Sequence, residues 1–200
     1  MEFQVEDIIH SRLSVVEFHK KYSRYFKNGI MVDTAPLFAL LVGDLLVSQK
    51  DFLLKADFNY GEVHYKTIKE FLKICRIEHN KIIITPQILF ELLSHFQKAC
   101  LKLKEDDDKK EVLKIFRERH MSLLKLIQKN VSIWDILENH RMAFLECADI
   151  SFILYAKNCK HIALLTQDEG FLTEAKSCKN ILSISFNDLV LNSKNFVEED

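Results

Sequence analysis

Over residues 3–27 apolar side chains recur at Val5, Ile8, Ile9, Leu13, Val16, Phe18, Tyr22 and Phe26. That spacing is close to the helical period and predicts one amphipathic helix. Asn28-Gly29 supplies its stop, since glycine tolerates the backbone that ends a helix. From Ile30 the pattern changes: short apolar runs ending in polar residues alternate with longer helical stretches. The runs at 30–33 (IMVD), 81–85 (KIIIT), 130–134 (NVSIW), 161–166 (HIALLT) and 180–185 (NILSIS) predict strands. Helical periodicity predicts helices over 35–48, 63–77, 86–104, 109–129, 138–157 and 169–177. Strands alternating with helices indicate an α/β fold with a mainly parallel sheet. Most of these strands lack in–out alternation, as expected where helices cover both sheet faces. The run Glu105-Asp106-Asp107-Asp108-Lys109-Lys110 interrupts a helical region and reads as a solvated connection between antiparallel helices. The organisation expected is a helical arm, 1–29, followed by one α/β domain, 30–200.

Open parallel sheets bind ligands outside the carboxyl ends of their strands. The first predicted strand ends in Asp33, followed by Thr34. The second runs into Thr85-Pro86, and Glu91 lies in the second turn of the helix that follows. Asp149 opens the helical segment ADISFILYAK, which leads into the fourth strand. That strand ends in Thr166-Gln167-Asp168. In a parallel sheet, Asp33, Glu91, Asp149 and Asp168 can meet at one edge. Carboxylates gathered in one cleft repel each other unless a cation neutralises them. All-oxygen sites of this kind suit Mg²⁺ or Mn²⁺, which lower the pKa of a bound water and clamp a phosphodiester. Each acid taken singly also has a structural role open to it. Asp33 and Asp168 can cap helices, Asp149 can serve as a helix N-terminal residue, and Glu91 can sit on a solvated stripe with His95, Lys98 and Lys102.

Composition narrows the alternatives. The chain has 200 residues, 48% of them apolar and 28% charged, which is globular composition. The longest apolar run, 35–42, is too short to span a bilayer. The start, MEFQVEDIIH, carries acids where a secretory leader needs bases, so a cytoplasmic location is expected. Lys and Arg total 28 against 29 Asp and Glu, so any basic surface must be local. The five cysteines show no CxxC spacing, which argues against a zinc ribbon or a disulfide scaffold. No glycine-rich phosphate loop, HExxH pair or GxSxG elbow occurs. Phosphatases that form an aspartyl-phosphate usually need a second Asp two residues after the first, where this chain has Ala35. The 15 phenylalanines mostly fall at core spacing and read as packing.

The segments IMVDTAPLFALL, IITPQILFELLSHF, ECADISFILYAKN and IALLTQDEGF together resemble the PIN domain, a PilT N-terminal type of nuclease. The resemblance covers about residues 30–190, and its strand-Thr-x-Asp element is the most specific. It implies a three-layer α/β/α sandwich built on a parallel sheet. It implies Asp33, Glu91, Asp149 and Asp168 as catalytic, metal-binding acids for Mg²⁺ or Mn²⁺. It also implies hydrolysis of RNA by metal-activated water, leaving a 5′-phosphate and a 3′-hydroxyl. Thr34 and Thr166 would support the cleft, and Glu146 is a possible extra acid; Asp44 and Asp188 have weaker claims.

The chain departs from the commonest small members, the VapC-like toxins, in its arm and in a long insertion around 45–80. These put a toxin role and an antitoxin partner in doubt. A homodimer is plausible from the resemblance. Basic residues that could follow RNA are Lys98, Lys102 and Lys104, then Arg117, Arg119, Lys125 and Lys129. The arm, with Arg12, Lys20, Lys21, Arg24 and Lys27, could dock on the body, pair with another copy or touch RNA. The alternative function is a PIN-like scaffold that binds protein or RNA without cleaving.

Overall fold

The computed structural model describes residues 15–48, 62–78, 81–102, 131–138 and 145–193, with shorter pieces at 105–107, 109–111, 114, 118 and 127–128. Helix α1 (Val15–Phe26) leads into β1 (Ile30–Val32) and α2 (Thr34–Ser48). Helix α3 (Glu62–Ile74) precedes β2 (Ile82–Ile84) and α4 (Pro86–Leu101). Strand β3 (Ile127–Gln128), α5 (Ile133–Glu138) and α6 (Cys147–Lys157) follow. The chain then forms β4 (Ile162–Thr166), α7 (Glu169–Ser177), β5 (Ile181–Ser185) and α8 (Phe186–Leu191).

The strands form one sheet in the order β3-β2-β1-β4-β5, and every pairing is parallel. Ile30 lies beside Ile82 on one side and Ala163 on the other; Val32 lies beside Leu165. Strands β1, β2 and β4 are buried at every position, which is why their sequences are continuously apolar. The chain starts at the centre, builds outwards to β3, then crosses back to place β4 on the other side of β1. Strand order therefore reverses between β1 and β4, and such a switch point opens a crevice at the carboxyl edge.

Helix α1 places Phe18, Tyr22, Tyr25 and Phe26 in the same core as the sheet, while Lys20, Lys21, Arg24 and Lys27 are exposed. Phe26 meets Phe71 of α3 edge-on with ring centroids 6.3 Å apart. The described part of the arm is thus docked on the body. Residues 1–14 lie outside the described residues. Gly29 makes the turn into β1 with φ +102°, and a Cβ there would stand 2.2 Å from the Lys81 carbonyl oxygen. Only glycine fits that turn without strain. Within the 45–80 segment, α3 packs on α2 and puts Ile68, Phe71 and Leu72 into the core; residues 49–61 lie outside the described ones.

Three elements, β3, α5 and α8, differ from the sequence expectation, and β3 falls within the helix expected over 109–129. Of the segment expected as a strand over 130–134, the described residues 131–134 are not one: β3 lies earlier, pairing Ile83 with Ile127 and Ile84 with Gln128. Ser132 instead starts α5, its hydroxyl accepting from Trp134 N–H (3.2 Å) and its carbonyl from Ile136 N–H (3.2 Å). A serine with free acceptors competes with a ladder and favours a helix start. Helix α8 was not anticipated, although Ser185 caps it by accepting from Asp188 N–H at 3.2 Å. Among the described residues no helix is long and apolar enough to cross a membrane.

Candidate metal centre

Because β1 and β4 are parallel neighbours, their last residues reach the same edge. Asp33 N–H donates to the Leu165 carbonyl at 2.9 Å, so the ladder continues up to the acid itself. The next residue, Thr34, begins α2. The Asp33 carboxylate is buried, with 7% of the residue exposed. Its Oδ1 accepts from Thr34 N–H at 2.6 Å, and its Oδ2 accepts from Thr166 Oγ1 at 2.5 Å. Thr166 is the last residue of β4 and is fully buried. Its Oγ1 also accepts from Asp168 N–H at 3.0 Å. One hydroxyl therefore fixes the first acid and the backbone of the fourth, across the switch point.

Asp168 is exposed and caps α7, accepting from Phe171 N–H at 2.6 Å through Oδ1. Asp149 is buried in the first turn of α6, where its Oδ2 accepts from Glu146 N–H at 3.3 Å. Glu146 is exposed and contributes this N–H. Glu91 is half-buried on α4, with His95 Nε2 3.5 Å from its Oε1. The capping roles open to Asp33, Asp149 and Asp168 are thus all present.

Thr85 and Ser151, both fully buried, lock α4 against α6. Ser151 Oγ donates to the Ala148 carbonyl (2.5 Å), so the Thr85 hydroxyl is the donor in the 2.6 Å contact between the two. Thr85 Oγ1 in turn accepts from Ile88 N–H at 3.3 Å and caps α4. This chain of hydroxyls sets the spacing of the helices that carry Glu91 and Asp149. The sequence reading did not single out the pair, although Thr85 before Pro86 is a helix-start signal.

Burial pushes the Asp33 carboxyl up to about 6; the charges of Glu91 and Asp168 add to this, while the Thr166 and Thr34 hydrogen bonds oppose it. Burial likewise raises Asp149, to about 8; Asp33, Asp168 and Glu91 repel it further, and Glu146 N–H opposes. Asp149 is thus acted on by the other three acids, and Asp33 by Glu91 and Asp168. Four carboxylates from β1, α4, α6 and the end of β4 share one electrostatic site.

Comparison with protein-family models, curated proteins and solved structures gives no match. The donors of the site are all oxygens, the set that suits Mg²⁺ or Mn²⁺. The Thr34 hydroxyl beside Asp33 is buried without a hydrogen-bond partner among the described residues, and such a group normally has one. As they stand, no three His, Cys, Asp or Glu side chains among the described residues are close enough to hold a metal ion. The donor chemistry, the mutual repulsion and the orphan hydroxyl fit a divalent cation that would draw the acids together.

The other residues considered from sequence are exposed or lie outside the described set. Asp188 is exposed on α8, and the side chain of Asp44 lies outside the described ones. Lys98 is exposed on α4 and Lys102 is exposed just after it; Lys104, Arg117, Arg119, Lys125 and Lys129 are not among the described residues.

Proposed function

We propose that the chain is a metal-dependent endoribonuclease of the PIN type. The observation that supports this most strongly is electrostatic: at the carboxyl edge of an all-parallel sheet, burial and the charges of Glu91 and Asp168 raise Asp33, and burial and the charges of Asp33, Asp168 and Glu91 raise Asp149. When bound, Mg²⁺ or Mn²⁺ would supply an activated water and neutralise the charge that develops on a phosphodiester. Asp33 and Asp168 would be the principal ligands, with Glu91 and Asp149 completing the set directly or through water. Thr166 would orient Asp33 through its hydroxyl and hold the Asp168 backbone. Thr85 and Ser151 would keep α4 and α6 at fixed separation. The Thr34 hydroxyl would find its partner in a metal-bound water or a phosphate oxygen.

The test is cleavage of end-labelled RNA in Mg²⁺ or Mn²⁺, with mapping of the product ends. The proposal expects 5′-phosphate products, no cleavage in chelator, and no cleavage by Asp33→Asn or Asp168→Asn proteins that melt like folded chains. Wild-type cleavage by either variant would overturn the site. A second reading, a scaffold that binds without cleaving, is favoured by the separation of the acids as they stand. It predicts no metal-dependent cleavage and no metal-dependent change in stability.

A further inference from the structure

Because the strands are parallel, the turns that enter β1, β2, β4 and β5 all lie at the amino edge of the sheet, opposite the acids. Each turn brings an exposed lysine: Lys27 before β1, Lys81 before β2, Lys160 before β4 and Lys179 before β5. The turns touch one another in the order of the strands. Gly29 lies against the Lys81 carbonyl. Asn28 Nδ2 donates to the His161 carbonyl at 3.5 Å. Ile162 N–H donates to the Asn180 carbonyl at 3.0 Å, and Asn180 Nδ2 donates to the Cys159 carbonyl at 2.9 Å. The lysine-bearing turns therefore form one row in the order Lys81, Lys27, Lys160, Lys179. At about 4.8 Å per strand the row is about 14 Å long. Arg76 is also exposed in the segment that leads to Lys81, and Glu78 is the exposed acid there. Among the described residues of these turns, five cations thus face one acid. Arg24, Lys73, Lys157 and Lys176, in the last turns of their helices, complement the helix dipoles. The four lysines of the row lie past the helix ends, and none of their ammonium groups has an ion-pair partner among the described residues.

We propose that this amino edge binds the phosphate backbone of a nucleic-acid duplex. The proposal rests on charge and topology, independently of the acids, and goes beyond the nuclease reading. The chain has a net charge of −1, so the cations gathered here are balanced by acids elsewhere and make a local positive surface. One strand of a duplex places a phosphate about every 3.4 Å along the axis, so about four phosphates face a row of this length. The large apolar side chains that are exposed, Val16, Val63, Phe90, Leu101, Trp134 and Leu191, all lie outside these turns. Among the described residues there is thus no exposed ring in the turns on which an unpaired base could stack, and no apolar anchor for a folded protein. What remains is contact with phosphates, which positions a duplex without reading its sequence. Strands β1 and β4 have three and five residues, so a backbone held here lies about 10–17 Å from the acids. It is a contact separate from any phosphodiester at the carboxyl edge.

The test is anisotropy of a labelled DNA duplex of about 20 base pairs, titrated with the full chain in chelator over a range of salt. Four phosphate contacts predict a slope of log affinity on log salt of about −3.6, a loss of about 100-fold between about 50 and 200 mM salt. A duplex of the same length and unrelated sequence should bind equally. Lys81→Gln/Lys160→Gln, surface changes checked by their melt, should bring the slope to about −1.8. Lys66→Gln/Lys69→Gln, which removes the same charge from α3, should leave it at the wild-type value. No binding at about 50 mM salt, an unchanged slope in Lys81→Gln/Lys160→Gln, or an equal change in Lys66→Gln/Lys69→Gln would overturn the proposal. Tighter binding to polyglutamate or to phosphatidylserine vesicles than to the duplex would also overturn it, and would move the edge to an acidic protein or a lipid surface. Tighter binding to a single strand of the same sequence would overturn the duplex assignment. Cleavage takes no part in these readouts, so their outcome is independent of the metal site.

Discussion

Replacing Asp33 by Asn should stabilise the metal-free protein at pH 8 and fail to stabilise it at pH 4. Burial and the neighbouring acids raise this carboxyl from 3.8 to about 6. The folded state therefore holds the proton more tightly than the unfolded chain does. Below pH 3.8 both states are protonated and there is no penalty. As pH rises towards 6 the unfolded chain ionises first and stability falls; above that the loss is complete. At about 1.4 kcal/mol per pH unit, the full penalty is about 3 kcal/mol. Asn carries no charge and keeps an acceptor for Thr34 N–H. It loses the acceptor that Thr166 Oγ1 uses, which costs about 1 kcal/mol. The net gain at pH 8 is about 2 kcal/mol; at pH 4 only about 0.5 kcal/mol of the penalty remains, so the net effect is a loss of about 0.5 kcal/mol. For a chain of this size the gain corresponds to a rise in Tm of about 4–8 °C. The assay is thermal unfolding followed by circular dichroism in chelator at both pH values. A variant no more stable than wild type at pH 8, or equally stabilised at pH 4, would refute the electrostatic account of the site.

Other consequences are open to direct measurement. Mn²⁺ affinity by calorimetry should rise from pH 5.5 to pH 8 by at least about tenfold, because Asp33 and Asp149 must lose protons that the site holds up to about 6 and about 8. Thr166→Val should cost about 1–3 kcal/mol in urea unfolding, since Asp33 Oδ2 and Asp168 N–H both lose their partner, and Thr166→Ser should restore most of it. Ser151→Ala should cost a similar amount, about 1–3 kcal/mol, by leaving the buried Thr85 hydroxyl without its acceptor. Gly29→Ala should lower Tm, with backbone strain of about 1–3 kcal/mol added to a close approach to the Lys81 carbonyl; an unchanged melt would contradict the turn geometry.

Much of the fold was legible because its central strands are buried on both faces. The segments around Ile30, Ile82 and Ile162 are continuous apolar runs bounded by polar residues, the segment at Ile181 is apolar apart from Ser183, and each forms a strand of the parallel sheet. Strand β3 was not legible, because a two-residue edge strand bears little pattern and the apolar run beside it contains Ser132, which starts a helix instead. The four acids could be picked out because parallel strands deliver their last residues to one edge. Their environment could not. Whether Asp33 is buried or exposed depends on α2 and β4 packing around it, and a strand-end Asp looks the same in either case. The Thr85–Ser151 contact joins residues 66 apart and leaves no local signature. Nor does the exposure of Phe90, whose neighbours Leu89 and Leu92 share its hydrophobic character but pack against or within the core.

The central claim is that these carboxylates together hold a divalent cation. The most direct test is to titrate Mn²⁺ at pH 8 into wild type and into Asp33→Asn/Asp168→Asn, following the free-ion signal by electron paramagnetic resonance. Wild type should remove Mn²⁺ from the free pool to a defined stoichiometry, and the double variant should leave it free. Equal free-ion signals in the two proteins would contradict the account.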